Sequence, residues 1–168
     1  MIPVKDYVVL ITGASSGIGA ACANIFAQAG AKLIIAARRQ EKLEQLAEQL
    51  GKDYDCESYL LPMDVCDLSQ VQSALSNLPE TWSNIDILIN NAGLSRGLDN
   101  VQEASIQDWE EMIDTNIKGL LYVTRTILPG MIARGRGHII NIGSIAGHQT
   151  YPGGSVYCTT KAAVKSIS

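Results

Sequence analysis

The spacing of apolar residues changes period repeatedly along this chain. Val8-Val9-Leu10-Ile11 is an unbroken run rich in β-branched residues, the pattern of a strand covered on both faces. From Ile18 the period lengthens: Ile18, Ala21, Cys22, Ile25, Phe26 and Ala29 recur at helical spacing up to Gly30, which suits a C-terminal cap. The alternation continues with a strand over residues 33–37 and an amphipathic helix on Leu43, Leu46, Ala47 and Leu50 that Gly51 is expected to close. A third strand is predicted over residues 58–63. Asp67 then caps a helix whose stripe is Leu68, Val71, Leu75 and Leu78. Residues 85–89 form a fourth strand ending at Asn90, and residues 139–142 a fifth ending near Ser144. Between these two, Ser105-Ile106-Gln107-Asp108 reads as a capping box opening a long helix that runs past Asn116 toward Pro129. Strands alternating with helices predict a parallel sheet, and right-handed crossovers put helices on both faces. The expected fold is a Rossmann-type, doubly wound, three-layer α/β domain with residues 8–11 at its centre. No linker, repeat or low-complexity segment interrupts it, so residues 1–168 are expected to form one domain.

Composition narrows the partners. With 46% hydrophobic and 18% charged residues, 168 residues suit a compact chain with a sizeable core. A net charge of -4 without a Lys/Arg run argues against nucleic acid and anionic membranes, and favours a small-molecule substrate. The opening residues lack a basic leader and no apolar run approaches a membrane-spanning length, which points to the cytoplasm. Cys22, Cys56, Cys66 and Cys158 show no metal-ligand spacing and are expected to pack as thiols, with Cys158 a weaker candidate for a thiol near a cleft. No metal site is expected. Trp82 and Trp109 are expected to pack, and His138 and His148 to lie outside the chemistry.

Two motifs carry chemistry. In Thr12-Gly13-Ala14-Ser15-Ser16-Gly17-Ile18-Gly19, glycines stand where the first strand turns into its helix. They permit a tight turn, close approach of backbone to a pyrophosphate, and packing of the helix on the sheet. The free N–H groups of the helix N-terminus would face the phosphates. A dinucleotide fold of the NAD type places an acid at the end of the second strand; here the sequence is Ala36-Ala37-Arg38-Arg39. Two guanidiniums in place of a carboxylate favour a 2′-phosphate, and so NADP(H) over NAD(H).

The second motif is Tyr157-Cys158-Thr159-Thr160-Lys161. A nicotinamide moves a hydride, so protein groups must handle the accompanying proton. A phenol with a pKa of about 10 is a poor base near neutrality, and a neighbouring ammonium lowers it. The spacing of four residues puts Tyr157 and Lys161 on one helix face. Ser144 follows a predicted strand, at the edge where parallel sheets place ligands, and its hydroxyl can bond a reacting oxygen.

From Val8 onward the chain resembles the short-chain dehydrogenase/reductase family: Gly-x-x-x-Gly-x-Gly at 13–19, Asn90-Asn91-Ala92-Gly93, Asn116, Ser144 and Tyr157-x-x-x-Lys161 occur in its order. The resemblance implies that Gly13, Ser15, Ser16, Gly17, Ile18 and Gly19 cradle the cofactor, that Arg38 and Arg39 take the 2′-phosphate, and that Asp64 and Val65 flank the adenine. It implies that Asn91, Ala92 and Gly93 border the nucleotide. Tyr157 would be the acid/base, Lys161 its pKa modifier and a ribose ligand, Ser144 the carbonyl orienter, and Asn116 the anchor of a relay water. Residues 85–147, including Trp109-Glu110-Glu111-Met112-Ile113-Asp114-Thr115-Asn116 and His138-Ile139-Ile140-Asn141-Ile142-Gly143-Ser144, are most similar to the branch that oxidises 3-hydroxy acids such as serine and L-allo-threonine with NADP. Another carbonyl reductase, such as one acting on 3-oxoacyl thioesters, stands as an alternative, and a non-catalytic NADP(H)-binding protein as a remoter one. The family further implies dimers or tetramers assembled through the helices of Asn116 and Tyr157. It also continues through more strands and a substrate-covering segment, so the stretch ending at Ser168 is expected to be C-terminally incomplete.

Overall fold

The computed structural model describes residues 4–168; the reading of residues 1–3 as part of a leaderless start lies outside them. One sheet holds five parallel strands, β1 (Val8–Thr12), β2 (Lys32–Ala37), β3 (Ser58–Pro62), β4 (Ile87–Asn90) and β5 (His138–Asn141), in the order β3-β2-β1-β4-β5. β1 is buried throughout, as its unbroken apolar run predicts. From it the chain first winds outward through β2 and β3, then crosses to β4 and β5 on the other side. That reversal opens a crevice at the C-terminal edge between β1 and β4, where open α/β sheets bind ligands.

The pleat distributes β1 between two cores. Val9 and Ile11 pack with Ala23 and Ala27 of helix α1 (Gly17–Gln28) and Leu43 and Leu50 of helix α2 (Gln40–Tyr54). Val8 and Leu10 face the opposite layer, with Val71 and Leu75 of α3 (Leu68–Ser76) and Val123 and Ile127 of the long helix over residues 120–134. Burial of each such side chain contributes about 2 kcal/mol, so the two-sided core is the main source of stability.

Several boundaries differ from expectation. Gly30 ends α1 as predicted, at φ +81°. Gly51, however, lies inside α2; the helix runs on to Tyr54 and Asp55 takes the left-handed turn at φ 53°, its N–H reaching the Gly51 carbonyl at 3.0 Å. Asp tolerates that conformation better than most side chains, so no glycine is needed there. Asp67 caps α3 as expected, accepting from the Ser69 and Gln70 amides at 2.9 and 3.1 Å; a bond from the Ser69 hydroxyl at 2.6 Å, followed by these backbone bonds, holds its carboxyl below the usual range. A short helix α4 (Glu80–Ser83) was not predicted.

The long helix is three segments. Helix α5 (Ile106–Ile113) starts at Ser105, whose hydroxyl accepts from the Asp108 amide at 3.4 Å. A π-helical turn, Asp114–Gly119, follows and contains Asn116. Helix α6 (Leu120–Arg134) then carries Pro129 in its interior and ends at Gly135, φ +64°. Gly119 permits the turn to approach the segment after β3, because a Cβ there would stand 2.7 Å from Val65 Cγ2. Helix α7 (Ser155–Ile167) packs against α5 and the π turn.

At the opposite, N-terminal edge of the sheet, buried Asp86 joins three elements. Its Oδ2 accepts from the Val8 amide at 3.1 Å and Oδ1 pairs with Arg136 Nη2 at 2.7 Å. The latter contact is an ion pair rather than a well-angled hydrogen bond. Asp86→Ala strands the Val8 N–H and is expected to cost about 2 kcal/mol in urea unfolding; a change below about 0.5 kcal/mol would show that β1 and β4 hold register without it.

Candidate active site

The crevice between β1 and β4 is closed at its base by a clasp. Asn91 Nδ2 donates to the Thr12 and Gly13 carbonyls at 2.9 and 3.1 Å. Thr12 Oγ1 accepts from the Asn91 and Ala92 amides at 3.1 and 3.0 Å and donates to the Ile89 carbonyl at 3.3 Å. Two loops from distant parts of the chain are thereby stitched at the strand ends. The glycines fit this geometry in different ways. A Cβ on Gly13, already at φ +63°, would lie 2.9 Å from both Ala92 Cα and Asn91 Nδ2. One on Gly19 would press into the Gly13 carbonyl, so Gly19 serves helix-on-sheet packing and does not line the cavity. Gly17 has open space around it and is required by its φ of +57° alone.

Above the clasp lies a cavity of about 550 Å³ along the C-terminal edge of the sheet. Gly13, Ser15, Ser16, Gly17 and Ile18 line it from the β1–α1 turn, where the first helical N–H groups have no partner within the helix. Arg38 and Arg39 enter from the end of β2, Asp64 and Val65 from after β3, and Asn91, Ala92 and Gly93 from after β4. Arg39 Nη2 donates to Ser15 Oγ at 3.3 Å, and Arg38 Nη1 stands 3.8 Å from Asp64 Oδ2, so both guanidiniums are held at the mouth.

Tyr157 and Lys161 line the same cavity from successive turns of α7. Lys161 is 8% exposed and donates from Nζ to the Ile142 carbonyl at 2.8 Å, which aims it along the end of β5. Burial lowers its pKa below the ordinary lysine value. Gly93 leaves room for this arrangement: a Cβ there would meet Asn116 Oδ1 at 3.2 Å and Lys161 Nζ at 3.7 Å.

Ser144 and Asn116 lie directly after Gly143 and Thr115, which line the cavity. Ser144 caps the short 3-10 turn Ile145–Gly147 by accepting from the Ala146 amide at 3.1 Å, which leaves its own O–H free to donate, while its neighbour Gly143 lines the cavity. Asn116 is buried and its side chain is committed: Oδ1 accepts from the Leu94 amide at 2.8 Å, and Nδ2 donates to the Leu94 carbonyl at 2.8 Å and Thr160 Oγ1 at 3.0 Å. Both amide protons are used by protein partners, so the side chain fastens the loop after β4 to α7. Cys158 is 2% exposed and faces the interior, which removes it as a cleft thiol. The Cys56 and Cys66 thiols are pushed up by burial.

Other lining residues escaped the sequence reading. Leu94, Ser95 and Arg96 continue the loop after Gly93, and Trp109 borders a hollow beside Tyr157. The Asn-Asn-Ala-Gly motif was the available signal for the first three. Among the described residues no group of His, Cys, Asp or Glu is placed to hold a metal, and no helix is long and apolar enough to cross a membrane.

The short chain dehydrogenase family model matches residues 7–168, nearly the whole sequence. The chain belongs to the short-chain dehydrogenase family. It is 50% identical over 161 residues to the NADP-dependent 3-hydroxy acid dehydrogenase YdfG of Shigella flexneri, a match covering 96% of this chain and 63% of that protein. Identity to the NADP-dependent 3-hydroxy acid dehydrogenase of Schizosaccharomyces pombe is 46% over 161 residues, or 95% of this chain and 62% of the relative. Among solved structures, serine dehydrogenase from Escherichia coli superposes with a TM-score of 0.89 at 48% identity, covering 96% of this chain and 73% of that one. A closed form of serine dehydrogenase complexed with NADP+ gives 0.89 at 49% identity, covering 96% and 63%. The chain thus spans about 63% of the length of the curated dehydrogenases it matches.

Burial of Lys161 has a pH signature. Its pKa is lowered in the folded state, so between that value and about 10.4 the unfolded chain binds more protons, and stability rises with pH across the window. Lys161→Met lacks this gain. The stability of the variant relative to wild type is expected to fall as pH rises from neutrality toward about 10 in paired denaturation curves; a flat difference would mean that the lysine is not desolvated.

Proposed function

We propose that the complete protein is an NADP-dependent oxidoreductase that interconverts the β-hydroxyl and carbonyl of a small 3-hydroxy acid such as serine or L-allo-threonine. The supporting observation is that one cavity carries Arg38 and Arg39 beside β2 and Tyr157 and Lys161 beside β5, separated by β1 and β4. Three strand spacings, roughly 14 Å, suit an extended dinucleotide lying across the switch point. Crowding around Gly13, unpaired N–H groups at the start of α1 and the guanidinium pair are the features that such a ligand with a 2′-phosphate requires. Residues 1–168 supply the dinucleotide-binding unit as one domain.

When bound, NADP supplies or accepts the hydride. The protein's part is the proton and the alignment. Tyr157 gives or takes the proton at the substrate oxygen, with Lys161 lining the same cavity one helical turn away. The Ile142 carbonyl holds Lys161 Nζ at the end of β5, and we assign it a ribose hydroxyl there as a further partner. Ser144 directs its free O–H at the reacting carbonyl. Asn116 contributes as a positioning residue, through Leu94 and Thr160. The names of the similar dehydrogenases support the 3-hydroxy acid class.

A cytoplasmic homodimer or homotetramer is the proposed assembly. Exposed Leu121, Leu128 and Ile132 on α6 support an interface on that helix.

In the full-length enzyme Tyr157→Phe is expected to abolish turnover, by roughly 100- to 10,000-fold, with NADP(H) binding nearly intact; substantial residual activity would remove Tyr157 from the role. Replacing Arg38 and Arg39 with alanine should weaken NADP(H) by about 10- to 100-fold and NAD(H) little, as read by nucleotide fluorescence titration. Equal losses would reject the 2′-phosphate assignment. Turnover of free hydroxy acids against acyl thioesters separates the proposed substrate class from a thioester reductase.

A further inference from the structure

Arg96 is a cation at the cavity that neither the cradle nor the proton chemistry uses. It lines the main cavity, the small hollow formed with Trp109, Val156 and Tyr157, which contains no residue of the β1–α1 turn or of β2, and a third hollow with Arg38, Asp64 and its partner Glu111. Its loop is held at Leu94 and at the Arg96 amide. Leu94 is bonded through N–H and C=O to Asn116, and the Arg96 amide donates to Met112 Sδ at 3.4 Å. Asn116 in turn donates to Thr160, the residue before Lys161, so the Arg96 loop is registered against the helix that carries Tyr157. The guanidinium donates through Nε to Glu111 Oε2 at 2.9 Å. Among the described residues its Nη1 and Nη2 fork has no other partner.

We propose that Arg96 is the specificity residue that anchors the carboxylate of the substrate, through the Nη fork left free by Glu111. The inference rests on the 3-hydroxy acid reading and extends it to a named residue. A guanidinium fork matches a carboxylate with two parallel N–H donors, and a 3-hydroxy acid places its carboxylate two carbons from the carbinol oxygen that Tyr157 serves. Glu111 holds the fork rather than saturating it. A phosphate of the cofactor is the competing anion, since Arg96 also borders a hollow with Arg38; only Arg96 among these arginines borders the hollow of Trp109 and Tyr157 as well.

The test uses the full-length enzyme and its Arg96→Gln and Arg96→Lys variants, with a 3-hydroxy acid and its methyl ester as paired substrates. R96Q is expected to raise KM for the acid about 10- to 100-fold more than for the ester, and R96K to restore part of the difference. Propanoate should inhibit reduction of a neutral ketone competitively in wild type, and R96Q should weaken that inhibition by a similar factor. Equal KM changes for acid and ester, or unchanged propanoate inhibition, would overturn the proposal. So would a loss confined to NADP(H) affinity, which would make Arg96 a cofactor-phosphate ligand. If wild type oxidises no 3-hydroxy acid yet propanoate inhibition depends on Arg96, the anchor stands and the substrate class falls; oxidation of hydroxy acids that is indifferent to Arg96 gives the reverse.

Discussion

The hydrogen bonds between Thr12 and the Asn91-Ala92 backbone are the constraint on which the site depends. A parallel sheet whose connections reverse direction leaves its central crevice open, because the loops after β1 and β4 diverge to opposite faces. Thr12 and Asn91 join those loops with a hydroxyl and an amide that are both used to near capacity. Each bond is worth about 1 kcal/mol net, but a buried partner left unmatched costs more. The result is a floor whose glycines can approach within van der Waals distance, and from which the first turn of α1 faces the cavity.

A second set of bonds sets the far wall. Asn116, in a π-helical turn, ties the loop after Gly93 to Thr160, and the adjacent Lys161 reaches the Ile142 carbonyl. Four elements separated in sequence therefore share one short network. Such π turns recur at functional sites because they redirect a side chain that a regular helix would place elsewhere. Here the redirected amide faces the loop and α7, and the absence of a side chain at Gly93 is what lets that amide and the lysine come close.

Charge along the cavity is arranged to match. Arg38 and Arg39 lie over the β2 end, Lys161 near β5, and Arg96 on the loop between, while the chain as a whole carries a net charge of -4. Concentrating cations in one crevice of an acidic protein focuses anionic ligands there.

The alternation of elements, the central buried strand, the glycine cradle, the arginine pair and the Tyr157–Lys161 face were legible in the sequence, because each rests on spacing within a few residues or on one strand-to-helix junction. Asp67 as a cap was legible for the same reason. What the sequence did not disclose involves partners far apart in the chain. The bonds of the Asn116 amide to Leu94 and Thr160, and the cap that Ser144 makes on the 3-10 turn, join residues whose meeting no motif announces. Gly51 was expected to stop α2, and Asp55 does so, since helix length answers to packing as much as to propensity. Arg96 and Trp109 carried no motif of their own. By itself, then, the sequence determined the periodic elements and the local chemistry they carry. Only the tertiary structure decided which polar side chains spend their hydrogen bonds on the scaffold and which remain free, because that balance is settled by long-range contacts that no local pattern encodes.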